Sequence, residues 1–177
     1  MRTLIVHTQD FSTDFLKEIY ADMDSTVVVN FDIFQDELIP LIQMVDRVIL
    51  LGHGTKHGLL RSDYDGYIVN ADLVDELNKK TVIGIWCYAS DFAKKNGLKG
   101  LFSGMFISEQ NEALMEGLEL PETLSIEDEN KAFAYIMHYH LVNKRDSLEE
   151  IAATFKDLAA TTDNKLKKYN YSKIEIV

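Results

Sequence analysis

A single cysteine, Cys87, stands in a chain of 177 residues. One thiol excludes an internal disulfide and a zinc cluster built from several thiolates, so Cys87 is either apolar filler or a chemical group. Long apolar runs are missing too: stretches such as Val48 to Leu51 fall far short of the roughly 18 residues a membrane helix requires. The start, M-R-T-L-I-V-H, lacks a signal-peptide pattern, and a cytoplasmic protein with no membrane partner is expected. Basic residues are scarce, 18 against 29 acidic ones for a formal charge of -11, which works against nucleic acid as a partner. No repeat, low-complexity tract or linker interrupts the chain. With 46% hydrophobic residues it is expected to build one core in a single domain over residues 1–177.

The segments that are present alternate between two periods. Thr3 to His7 and Thr26 to Asn30 are rich in β-branched residues and read as strands, while Phe15, Leu16, Ile19 and Tyr20 recur at helical spacing behind the cap candidates Ser12 and Thr13. Leu38, Leu41, Ile42 and Val45 predict a second helix that Pro40 either starts or kinks. L-L-R-S and Y-I-V, parted by D-Y-D-G, predict a small hairpin outside the main sheet. Asn70 is placed to cap a helix over Ala71 to Lys79, and Ser90 one that Gly97 ends. Leu101 to Ser108 reads as a strand and Glu109 to Glu116 as a short helix. Ser125 leads a longer helix carrying Phe133, Met137 and His140, and Ser147 with Glu150 forms a capping box for another. The alternating Y-S-K-I-E-I-V suits an edge strand, and Ser172 to Val177 could pair with another copy in a homodimer.

Two apolar runs stop at reactive side chains, V-I-L-L-G-H-G at His53 and T-V-I-G-I-W-C at Cys87. Both read as strands buried on two faces, and the interval suffices for a parallel crossover, which takes about 30 residues or more. As neighbours, they would bring His53 and Cys87 together at the carboxyl ends of the strands, where open α/β sheets bind ligands. A hydrophobic strand ending in G-H-G at Gly52 to Gly54, then one leading to C-Y-A-S-D-F-A at Cys87 to Ala93, resembles the caspase-like cysteine peptidases. The local form is most similar to the bacterial caspase- and separase-related members. The resemblance implies an α/β fold: a three-layer caspase-like arrangement with a mainly parallel six-stranded sheet, helices on both faces and an antiparallel C-terminal edge strand. It implies a cysteine endopeptidase acting on a protein or peptide through a Cys-His dyad, with no cofactor and no metal. Cys87 would be the nucleophile and His53 the proton carrier, with the backbone N–H groups of Gly54 and Cys87 as oxyanion hole. No third residue orienting His53 is identifiable.

Trp86 departs from the small residue common before the cysteine, and is placed with Glu109 in the substrate pocket. Its bulk favours the alternative, a catalytically inactive member of the same fold that binds a peptide or protein. Strand alternation sets Val82, Gly84 and Trp86 on one face and Ile83, Ile85 and Cys87 on the other, so the indole is expected to pack away from the thiol. G-H-G-T-K-H-G also fits a loose dinucleotide-binding pattern, but extended chain rather than a helix follows it. His57 reads as a solvated loop residue rather than a metal ligand, His140 as a hydrogen-bonded core residue, and D-Y-D-G as a turn rather than a calcium loop. There is no G-x-S-x-G for a serine hydrolase.

Overall fold

The computed structural model describes residues 1–8, 10–24, 26–31 and 33–177. Its strands are β1 (Thr3–His7), β2 (Thr26–Val29), β3 (Arg47–Leu51), β4 (Gly54–Thr55), β5 (Gly58–Leu60), β6 (Tyr67–Val69), β7 (Thr81–Ile85), β8 (Leu101–Ser103) and β9 (Ile174–Ile176). The helices are α1 (Gln35–Gln43), α2 (Val74–Leu77), α3 (Ala89–Asn96), α4 (Gln110–Met115), α5 (Ile126–His138), α6 (Leu148–Thr161) and α7 (Lys165–Ser172). A six-stranded sheet has the order β2-β1-β3-β7-β8-β9. Every neighbouring pair is parallel except β8 and β9, which makes the C-terminal strand an antiparallel edge. The segment after His53 forms a separate three-stranded antiparallel sheet, β4-β5-β6, one strand more than the hairpin read from the sequence.

β3 is buried along its whole length because both sides of the sheet are covered. Leu4, Val6, Val48, Leu50 and Val82 pack on one side with Leu38 of α1 and Phe92 of α3. Ile5, Ile49, Leu51, Ile83 and Ile85 pack on the other with Phe15, Phe133 of α5 and Phe155 of α6. Alternation thus divides β7 as expected, Val82 to one cluster and Ile83 and Ile85 to the other.

Several caps are those the sequence predicts. Asn70 accepts from the Asp72 N–H, Ser125 from the Asp128 N–H, and Ser147 and Glu150 close a reciprocal box. Other boundaries differ. Phe11–Tyr20 is a 3-10 helix capped by Asp10, not by Ser12 or Thr13, because the Asp10 carboxylate accepts the Ser12 N–H while Thr13 accepts the Asp10 N–H. Pro40 lies inside α1. The helix after Asn70 is split into a 3-10 turn, Ala71–Leu73, and α2, and ends before Lys79. α3 follows a left-handed Tyr88, which leaves Ser90 buried in its first turn rather than capping it. β8 stops at Ser103, since Gly104 donates to the Lys173 carbonyl and accepts from Tyr88 instead of continuing the strand. α5 runs on as a π-helix, Tyr139–Lys144, in which the buried His140 meets Asp146 at 2.6 Å. α7, capped by Asn164, claims Ser172 and shortens the last strand to three residues.

His7, fully buried at the end of β1, has Nδ1 3.0 Å from the Tyr20 hydroxyl, and Nε2 meets no partner among the described residues. Burial, helped by the Lys17 charge, lowers its pKa from 6.5 to about 4. Between those values the unfolded chain takes up a proton that the folded chain refuses. Stability is therefore full above pH 6.5 and falls by about 3 kcal/mol as pH drops to about 4. Urea unfolding from pH 4 to 7 should show this slope and His7→Gln should flatten it; an unchanged slope would assign the acid sensitivity elsewhere.

Candidate functional site

In the register of β3 and β7, Leu51 lies opposite Ile85, and the Gly52 N–H donates to the Ile85 carbonyl at 3.3 Å. His53 and Cys87 each come two residues beyond those aligned ends. Gly52 makes the exit possible: its φ is +140° and a Cβ there would overlap Thr8 Oγ1. At Gly54 a Cβ would overlap the indole of Trp86, so glycine lets β4 lie directly on that ring.

His53 is held from behind. Its Nε2 is 2.8 Å from Ser12 Oγ, which donates its one proton to Asp10 Oδ1, also at 2.8 Å. The hydroxyl therefore accepts from Nε2–H, and the neutral ring carries its lone pair on Nδ1. Asp10 Oδ2 accepts from the Tyr64 hydroxyl at 3.1 Å, and the Tyr64 ring lies 5.7 Å from the imidazole. Asp10 is held below its usual carboxylate range chiefly by the Ser12 N–H. This arrangement supplies the orienting group that the sequence left unidentified. The one available signal was D-x-S at Asp10 to Ser12, directly after β1.

Cys87 is covered rather than open. Its Sγ donates to the Phe106 carbonyl at 3.3 Å and sits 4.0 Å from Glu112 Oε1. The other Glu112 oxygen accepts from the Ser108 N–H, the Ser108 hydroxyl and the Glu109 N–H, at 2.6, 2.9 and 3.0 Å. That bracket ties α4 to the loop over the thiol. Burial first, then the Glu112 and Glu116 charges, push the Cys87 pKa up to about 11. The Cys87 N–H has no acceptor among the described residues, whereas Gly54 is taken into β4 opposite Leu59.

His53 and Cys87 line one cavity with Thr13, Phe15, Gly52 and Phe106. Its volume is about 20 Å³, room for about one water, so no open cleft separates the two here. Beyond Phe15 and Ser108 a larger cleft of about 360 Å³ opens, with exposed Glu109 on its wall. Trp86 borders the small cavity but is only 1% exposed. Its indole packs against Phe92 and Phe102 and donates Nε1–H to the Thr55 carbonyl at 3.2 Å, which removes it from the surface of a substrate pocket. Trp86 and Glu109 are therefore not brought together in one pocket. Phe106 and Glu112, not picked out in the sequence, are the groups on the thiol.

Among the described residues, no group of three or more His, Cys, Asp or Glu is arranged to hold a metal ion, and no helix is long and apolar enough to cross a membrane. No family model matches the chain, and neither does any curated protein. Among solved structures, the Salmonella typhimurium response regulator RcsB is similar at 11% identity and a TM-score of 0.35, over 96% of this chain and 97% of that one. A likeness that loose carries no argument about fold or chemistry.

Proposed function

We propose that the chain is a caspase-like cysteine peptidase with a three-layer fold, described here in a closed state. The observation that carries the reading is the aligned exit of His53 and Cys87 from adjacent parallel strands into one cavity, with Nδ1 left free by the Ser12–Asp10 anchor. In the ionised pair, Sγ adds to a peptide carbonyl carbon. The C–N bond breaks and the leaving nitrogen takes a proton from the His53 imidazolium. Water then adds to the acyl group, His53 takes its proton, and the C–S bond breaks to return the thiolate. The Cys87 N–H, joined by Gly54 once β4 shifts, faces the developing oxyanion.

The second reading is a noncatalytic member of the same fold that binds a peptide or protein. The raised thiol pKa and the cramped cavity favour it. Intact-mass spectrometry after treatment with a panel of peptidyl acyloxymethyl ketones separates the two. The peptidase reading expects one adduct, on Cys87, formed at least about a hundredfold more slowly in His53→Ala. Absence of any adduct, in the native chain and in a Glu112→Ala variant alike, leaves the binding module. The proposed homodimer through β9 has three residues of edge to pair with, and short edges resist pairing; light scattering at working concentration decides it.

A further inference from the structure

At the opposite end of the sheet, Arg47 opens β3 between Thr3 of β1 and Thr81 of β7. The residue is 8% exposed. Nε donates to Thr3 Oγ1 at 3.2 Å, and Nη2 points at the thioether of Met23, a weak acceptor, at 3.7 Å. No carboxylate pairs with it among the described residues, and burial lowers its pKa from the ordinary guanidinium range. No Arg47 nitrogen is both buried and without a partner, so the guanidinium donors that Thr3 and Met23 do not take face the cleft, where a planar oxyanion would fit them. Arg47 and Met23 are walls of a cleft of about 290 Å³, at the small end of the range for ligand pockets.

The rest of that cleft has a definite pattern. Arg145, exposed at the end of the π-helix and without a partner among the described residues, supplies a second guanidinium. Leu141 and Val142 add apolar wall. Asp22 and Asp24 stand exposed in the lining, while Asp146 is already engaged by His140 and Lys144. A plain anion would meet those two carboxylates, which have no cation paired with them among the described residues, in a chain whose charge is already -11. A ligand with a positive group beside its oxyanion turns the same two residues into partners.

We propose that this cleft binds a small zwitterion, a free α-amino acid with an apolar side chain. Its carboxylate pairs with Arg47 and Arg145, its ammonium faces Asp22 and Asp24, and its side chain lies against Met23, Leu141 and Val142. The site is roughly 20 Å along the strand direction from His53, so it stands whether or not Cys87 is catalytic.

Titration calorimetry on the full chain tests it with L-leucine and L-methionine as probes. Leucinamide, which lacks the carboxylate, 4-methylvalerate, which lacks the amine, and inorganic phosphate are the controls. One amino acid is expected to bind saturably in the micromolar to millimolar range, with at least tenfold weaker binding in Arg145→Gln and in Asp24→Asn, and none by the controls. Both substitutions are at exposed positions and leave the core untouched. Any of three results overturns the proposal: no saturable binding of either amino acid, equal binding of phosphate, leucinamide or 4-methylvalerate, or affinity unchanged in Arg145→Gln or in Asp24→Asn.

Discussion

Glu112→Ala is expected to make Cys87 react with iodoacetamide at least about tenfold faster at pH 7.5, with a ceiling near a hundredfold. The ceiling follows from ionisation. With the thiol at about 11, roughly one molecule in three thousand carries the thiolate at that pH, against roughly one in thirty for a thiol at its ordinary 9.0. Burial is the larger cause, and Glu112 contributes in two ways. Its charge opposes the thiolate, and its hydrogen bonds to Ser108 and Glu109 hold the covering loop down. Alanine removes both and frees two backbone N–H groups at the start of α4. Glutamine removes the charge but keeps part of the bracket, so its rate should fall between. In the parent, the rate should climb about tenfold per pH unit well past 9, whereas in the alanine variant the rise should begin to level off near that value. Superimposable pH profiles for parent and variant would show that Glu112 neither latches nor repels.

The parts of this site legible in the sequence are those set by local pattern. Apolar runs that stop at His53 and Cys87 marked β3 and β7 as buried neighbours, and period-two alternation put Trp86 on the face away from Ile85. The caps at Asn70, Ser125 and Ser147 are likewise written within a few residues of the groups they satisfy. What escaped depends on chain returning from a distance. Ser12 meets His53 across 41 positions, and Phe106 and Glu112 reach the thiol across 19 and 25. No periodicity encodes such meetings. β8 is short for a similar reason: Ser103 Oγ brackets the Trp86 backbone, accepting its N–H and donating to its carbonyl. α7 was hidden because its charged stretch has little apolar stripe, and its cap, Asn164, lies in a run of polar residues that reads equally as loop.

The closed state also bears on how the dyad would be charged. A thiolate beside an imidazolium needs the pair to gain more from mutual attraction than it loses by leaving water. Here Cys87 is covered and faces two glutamates, so the neutral thiol is favoured. Lifting the Phe106–Glu112 cover admits water and removes the nearest negative charge in one movement. On the peptidase reading, access and ionisation are thus coupled through the same loop.

Trp86→Ala is expected to lower the melting temperature by about 10 °C. The indole fills the space among Gly54, Gly84, Phe92 and Phe102, and truncating a buried tryptophan typically costs about 3 to 5 kcal/mol, each kcal/mol being worth roughly 2 to 4 °C in a chain of this size. The Thr55 carbonyl also loses its N–H donor. Since β4 rests on the ring through Gly54, the segment carrying His53 should loosen along with the core, and hydrogen exchange at Gly54 and Thr55 should accelerate more than at β1. Trp86→Phe separates the two contributions: it keeps most of the packing and gives up the Thr55 bond, for a smaller loss set by about 1 kcal/mol of hydrogen bond plus whatever space the smaller ring leaves. A substrate gate would behave otherwise. If the alanine variant melts with the parent and Cys87 becomes labelled faster by probes with a long side chain before the reactive carbonyl, then Trp86 closes a pocket rather than supporting β4.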